Sequence, residues 1–400
     1  MALDSLPQAR GTRKYVGVVA KRRILDAAGR LARRSSVQLA SLCLLLFCCD
    51  SPRQAHAFQD DAWPWIKVSA DGKRFELEGE GEPFEPWGYN YDHDSEGALL
   101  ESYWRDEARV RSHLENLANR GANTVRIHLQ VSAFLNGPDS INESSVEQLG
   151  TLLHDARQVG LRVCLTGLGC YHAREVPAWY DELDRAGRWE AQAFFWRAIA
   201  RATRDDPTVF CFDLMNEPVV PGAARGPGEW LGPPFGDKSF VQFIALEPEG
   251  EHRAELARRW VDLLVDAIRE EDSRHLITLG LVPWSLDRPG LTSGFVPEVA
   301  CRRLDFISVH IYPETGRLDE ASETLAGFQM GKPIVVQEFF PLRCGIPEAK
   351  EFVRGHRDQV AGWISFHWGQ SEAELSETDS LAAAILAQWL TEFEQMSPRR

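Results

Sequence analysis

Two apolar runs in this 400-residue chain each end in a glutamate. One reads Asp213-Leu214-Met215-Asn216-Glu217-Pro218, the other Val335-Val336-Gln337-Glu338-Phe339. A lone Glu where a buried strand meets its loop is usually structural. Two of them brought to one mouth can divide an acid–base and nucleophilic task, as cleavage of a glycosidic bond requires. Other chemistry-bearing side chains also break apolar runs. Arg126 lies in Val125-Arg126-Ile127-His128. His310 and Tyr312 alternate to one face of Val309-His310-Ile311-Tyr312.

These residues need elements to carry them. Ile66–Glu78 alternates and turns at Asp71-Gly72, which predicts a β-hairpin. After it, short β-branched runs alternate with amphipathic helices. The predicted strands are Glu85–Tyr91, Asn123–Leu129, Leu161–Thr166, Thr208–Met215, His275–Leu281, Leu304–Ile311, Pro333–Gln337 and Ala361–His367. The helices between and after them are predicted at Asp106–Arg120, Ser144–Val159, Trp189–Arg204, Arg253–Glu270, Val296–Arg302, Asp319–Met330, Pro347–Val360 and Ser380–Glu394. Eight strand–helix units at this spacing predict an α/β fold, a (β/α)8 TIM barrel. An open doubly wound sheet would want a Gly-rich phosphate turn after an early strand, and none is present. In a barrel the working residues stand at the C-terminal ends of the strands. That puts Glu217 and Glu338 at the ends of strands four and seven.

With these motifs in place the chain resembles the retaining glycoside hydrolases of the cellulase type, glycoside hydrolase family 5 and its barrel clan. Asn216-Glu217-Pro218 is similar to that clan's acid/base motif, and the likeness spans most of residues 63–395. The resemblance implies roles. Glu217 would be the general acid/base and Glu338 the nucleophile. Asn216 would hold the sugar 2-hydroxyl, Arg126 would keep the nucleophile ionised, and Tyr312 would hydrogen-bond Glu338, with His310 beside it. Trp368 would floor the subsite of the reacting sugar, since aromatic faces stack on pyranose rings. The family's usual His just past strand three has no counterpart in register, and His172 is the residue that could reach back. Asp92, His93 and Asp94 could meet sugar hydroxyls or a cation, or simply be solvated. A Gly/Pro-rich excursion from Val219 to Glu251 carries Trp230 and Phe235 and is expected to shape substrate subsites.

Composition narrows the class. The chain is 44% hydrophobic and 26% charged, ordinary for a globular protein, with 13 Trp and a net charge of −15. That charge is uneven: residues 1–57 carry a net +7 and residues 58–400 a net −22. The basic lead-in, the uncharged run Ser35–Cys49 and Ala55-His56-Ala57 predict a secretory signal peptide and a secreted or periplasmic protein. The apolar run is shorter than the roughly 20 residues of a membrane span, so no stable membrane insertion is expected. A frayed helix is the bland alternative, and Arg33-Arg34 and Cys48-Cys49 leave the signal type open. Residues 58–400 are expected to form one catalytic domain. The acidity argues against nucleic acid as partner. A monomer acting on a carbohydrate, with no cofactor and no metal, is expected. Of eight Cys, Cys164, Cys170, Cys211, Cys301 and Cys344 lie beyond the signal. Cys164 and Cys211 are read as core residues. A non-catalytic carbohydrate-binding barrel, an exo-acting β-glycosidase on small oligosaccharides, and a metal-dependent hydrolase using His128 and His310 are the alternatives.

Overall fold

A computed structural model describes residues 63–399 apart from 289, 367, 368 and 379. The signal-peptide region and Trp368 lie outside the described residues. Eight parallel strands close on themselves: Trp87–Asn90, Thr124–Gln130, Arg162–Gly169, Val209–Asn216, Leu276–Leu281, Ile307–His310, Ile334–Phe339 and Gly362–Ser365. The ring is sealed where the eighth strand pairs with the first, Trp363 opposite Trp87, and the first with the second, Gly88 opposite Thr124. Every residue of these strands is buried. That double-sided burial explains why they read as continuous apolar runs rather than alternating ones.

Helices cover the outside, among them Glu107–Asn119, Glu143–Gln158, Arg185–Thr203, Arg253–Arg269, Leu318–Gly327, Ile346–Gly355 and Leu381–Gln395. Much of the Trp content sits at this strand–helix seam. Trp87, Trp196, Trp260, Trp363 and Trp389 are fully buried, and Trp87 stacks on Phe393 of the last helix at 4.3 Å. The N-terminal end of the barrel is plugged. The expected hairpin forms, Ile66–Val68 against Phe75–Leu77, with Pro83–Phe84 as a third strand. Phe75 lies edge-on to Phe210 and Phe306, both at 5.2 Å, above Cys164 and Cys211. Both of these cysteines are free and buried, as core residues should be.

Three expectations need correction. The third strand runs on to Gly169, past the predicted end at Thr166. Its glycines permit close approach rather than ending the strand: a Cβ on Gly167 would lie 2.3 Å from the Trp196 ring. The fifth helix shrinks to one turn, Pro297–Ala300, and Ile346–Gly355 stops before the predicted Val360.

Candidate active site

The C-terminal mouth is organised around one cation. Arg126, on the second strand, is completely buried. Its Nε and Nη2 donate to Asp213 Oδ2 at 3.1 and 2.8 Å. Nη1 donates to Glu338 Oε1 at 3.0 Å and Asn90 Oδ1 at 2.8 Å, and Nη2 to Asn216 Oδ1 at 2.8 Å. From the second strand, a planar fork of donors can address the first, fourth and seventh strands at once; an ammonium cannot. Asp213 in turn accepts from Thr166 Oγ1 and the Gly280 amide, both at 2.8 Å. Burial alone would depress the Arg126 pKa, but the two carboxylates outweigh it and hold it above its ordinary value. Removing the guanidinium would strand Asp213 as a buried charge. Arg126→Met is therefore expected to lower stability by about 3–5 kcal/mol, to be read from denaturant melts against Arg126→Lys, which keeps the charge and should lose less.

The two glutamates meet over His310. Its Nδ1 is 2.9 Å from Glu217 Oε1 and 3.4 Å from Glu338 Oε2. One carboxylate oxygen from each lies within 4.8 Å of the other. Burial, reinforced by the charge of Arg126, drives the His310 pKa down to about 4. The ring is then neutral, and its short contact with Glu217 is a hydrogen bond rather than an ion pair. Tyr312 donates to Glu338 Oε2 at 2.7 Å.

The surroundings of the pair are unequal. Glu338 has Arg126 and Tyr312 as donors. Burial pushes its pKa up, and the charge of Glu217 adds to this, while Arg126 and the Tyr312 hydrogen bond pull it back. Glu217 has only the neutral imidazole as its side-chain hydrogen-bond partner among the described residues, and burial raises its pKa to about 7. Its backbone is left-handed, with φ of 46°, and its amide donates to the Gly280 carbonyl at 3.0 Å. A non-glycine residue in that region is strained. The turn ends the fourth strand and aims the carboxyl into the mouth.

Beyond the pair, Asn216 Nδ2 donates to the Phe240 carbonyl at 3.2 Å. The sequence reading assigns no role to Asn90, Tyr171 or Asp213, and gives His128 only a metal-binding alternative. In the fold, His128 Nε2 is 3.1 Å from Asn90 Oδ1 and Nδ1 is bonded to the Tyr171 hydroxyl. Both ring nitrogens are thus engaged, and burial and Arg126 keep the ring neutral. Asp213 left a trace in the sequence: like Arg126, it is a charged residue breaking an apolar strand. Asp94 accepts from two backbone amides and from Arg109, so it shapes its own loop.

Two expected site residues are engaged by partners other than Glu217 and Glu338. His172 is paired with Glu175 at 3.0 Å and sits 3.5 Å from Asp237. Tyr171, one residue earlier, is the side chain that strand three turns inward. Trp230 is buried beneath the excursion, its Nε1 donating to the Asp181 carbonyl and its ring 4.3 Å from the Arg188 guanidinium. It anchors the excursion instead of shaping a subsite, because a large apolar face stacked on a cation is better buried than wet. Phe235 and Phe240 are what the excursion brings to the mouth. With Tyr312, Phe340, Phe366 and the last helix they bound a cavity of about 500 Å3 that opens onto Glu217 and Glu338.

Among the described residues, Glu217, His310 and Glu338 are also the group whose spacing could hold a metal ion. A cation there would face the Arg126 guanidinium, which already occupies Glu338.

The model of the Cellulase family (glycosyl hydrolase family 5) matches residues 77–340, about two-thirds of the chain. Mannan endo-1,4-beta-mannosidase 7 of Arabidopsis thaliana is 21% identical over 249 residues, 50% of this chain and 51% of that protein. The chain thus spans about half the length of that relative. Among solved structures, the endo-1,4-beta-mannanase of Rhizomucor miehei matches with TM-score 0.59 and 16% identity, over 84% of this chain and 100% of that one. An exo-beta-1,4-mannosidase from Opitutaceae bacterium strain TAV5 matches with TM-score 0.60 and 17% identity, over 82% and 62%. At such identities the structures share the barrel and say nothing finer.

Proposed function

Because the chain belongs to glycosyl hydrolase family 5, the cellulase family, we propose that it is a retaining glycoside hydrolase that cleaves a β-linked glycan by double displacement. The observation that carries this reading is the inequality of the two glutamates. Glu338, held by Arg126 and Tyr312, is suited to remain an anion and attack the anomeric carbon. Glu217, with a neutral imidazole as its side-chain partner and a pKa near 7, is suited to keep its proton and deliver it to the leaving oxygen. In the second half-reaction the same carboxylate would take a proton from water, which then attacks the glycosyl ester. The pair's closeness supports retention: retaining carboxyls stand about 5–5.5 Å apart, whereas inverting ones stand roughly 6.5–9.5 Å apart to admit a water. Asn216, turned by Arg126, is the candidate partner of the sugar 2-hydroxyl, and Trp368 the candidate floor.

The similarity to β-mannan-cleaving enzymes of Arabidopsis thaliana and Rhizomucor miehei favours β-mannan over β-glucan as the glycan. Export through the N-terminal signal, supported by its basic lead-in and short apolar core, belongs to the same proposal, as does action as a monomer. The test is hydrolysis of a panel of β-mannans, β-glucans and their oligosaccharides, with product lengths followed over time and the first-formed anomer read by NMR. A β anomer is expected first. An α anomer, or no turnover of any β-glycan or β-glycoside, would refute the reading. A spread of product lengths marks endo-action, and release of a single sugar marks exo-action.

A further inference from the structure

The cavity beside the glutamates has an unusual lining for a carbohydrate cleft. Its described wall beyond Glu217, Glu338 and Tyr312 is wholly apolar. Phe340, Pro341 and Leu342 rise from the end of the seventh strand, and Ile385 and Leu386 face them from the last helix. Phe235 closes the third side from the excursion after strand four. Several of these side chains stand in solvent: Phe235 is 64% exposed, Leu342 53% and Ile385 38%. They are three of only six large hydrophobic side chains exposed among the described residues.

A sugar seated against the aliphatic part of that wall would gain little. Its hydroxyls would lose water and find no donor or acceptor on Leu342, Pro341, Ile385 or Leu386, which is a net cost for each group. Sugars are held by flat aromatic faces with polar groups at the rim. Phe235, Phe240, Phe340 and Phe366 offer faces here, but the described wall sets no polar group beside them beyond Glu217, Glu338 and Tyr312, and its aliphatic chains supply neither. The polar equipment lies deeper, at the strand ends: Asn216, Tyr171, His128 and Tyr312, around Arg126. The reacting sugar must reach that floor, since both glutamates stand there. The group that occupies the apolar wall is therefore the part attached to it.

We infer that the leaving group is apolar: the substrate is an amphiphilic β-glycoside whose alkyl or acyl-bearing aglycone fills the slot between Phe235, Leu342 and Ile385. This rests on the glycosidase reading above and specifies its leaving side. The cavity reaches both Glu338 and Glu217, the proposed proton donor to the leaving oxygen. An apolar chain on a glycoside hangs from its anomeric oxygen, so the group on the apolar wall is the aglycone that Glu217 would protonate. When the C–O bond breaks, the aglycone departs as a neutral alcohol carrying the proton of Glu217, and the glycosyl group stays as an ester on Glu338. A cavity of about 500 Å3 falls within the roughly 300–1,000 Å3 typical of small-molecule sites.

The test is a series of alkyl β-mannosides and β-glucosides from methyl to octyl, each below its micellar concentration, assayed with the full-length protein. A p-nitrophenyl glycoside and a mannan oligosaccharide serve as comparators. The expected result is a kcat/KM rising roughly two- to fourfold per methylene until the slot is full. Leu342→Ser and Ile385→Ser are solvent-facing changes away from the carboxylates. They should lower the ratio of octyl to methyl glycoside kcat/KM at least fivefold. A flat series with good turnover of the oligosaccharide would overturn the inference and leave the glycosidase reading standing. Failure of every glycoside, the aryl one included, would overturn both. Binding of the protein to neutral lipid vesicles, with chain-length dependence absent, would mark the patch as a membrane contact and overturn it as well.

Discussion

Replacing Glu338 by alanine is expected to reduce hydrolysis of any natural substrate by on the order of 10^5-fold or more, the scale seen when a nucleophile that works as part of a unit is deleted. The fold should survive. Arg126 keeps Asp213, Asn90 and Asn216 as partners, so no buried cation is left alone. The loss also relieves a carboxylate whose pKa burial had raised. Melting temperature should therefore move by only a few degrees while turnover disappears. The vacated space offers a second readout. Azide added to the variant with an activated aryl glycoside should restore turnover and yield a glycosyl azide of inverted configuration, since the small anion attacks from where the carboxylate stood. Full activity in Glu338→Ala would disprove the nucleophile assignment. A collapse of the fold, read by circular dichroism, would reassign Glu338 to a structural part.

The second large effect concerns Glu217. A general acid contributes about 10^2–10^4-fold, and the loss should depend on the leaving group. Glu217→Ala is expected to lose that factor on alkyl glycosides and oligosaccharides, whose alkoxide leaves poorly without a proton. A dinitrophenyl glycoside, whose anion leaves unaided, should still form the ester quickly and then stall, because no base activates water. Azide should relieve the stall, with retained configuration. The pH dependence has a definite sign. Glu217 works protonated in the first step, so activity of the native enzyme falls as pH rises through about 7. On the acid side it falls as Glu338 becomes protonated, above the ordinary carboxylate range because burial raises it. The alkaline limb should vanish in Glu217→Ala when ester formation from the activated substrate is followed. Equal losses on all leaving groups, with the limb intact, would contradict the acid assignment.

Much of this architecture was legible in the residues. The eight strands are buried on both faces, so each wrote a continuous apolar run, and the glutamates closing the fourth and seventh runs stood out against it. Arg126 was visible for the same reason. Asp213 should have been visible with it: two opposite charges breaking two nearby strands of one barrel have few ways to be accommodated except by pairing. The strand-three glycines misled because a glycine in a strand reads as an end, while here Gly167 makes room for Trp196. Trp230 misled for a related reason. Composition says that an aromatic on a rim loop is available to a sugar, but only the packing of Arg188 and Asp181 around it reveals that it is spent as an anchor.

What the sequence determined by itself was the period of the fold and the identity of the reactive groups, because hydrophobic periodicity and residue type are local properties of a chain. The tertiary structure alone decided how those groups differ. Glu217 and Glu338 are the same residue, each at the end of a buried strand. They diverge only because Arg126 and Tyr312 reach one and a neutral His310 the other, and because burial makes those contacts count. It alone likewise gathered Phe235, Leu342 and Ile385, separated by more than a hundred residues of chain between the first two, into one apolar wall. Electrostatic environment and cavity shape depend on distances between strands and loops remote in sequence, and those distances exist only once the barrel has closed.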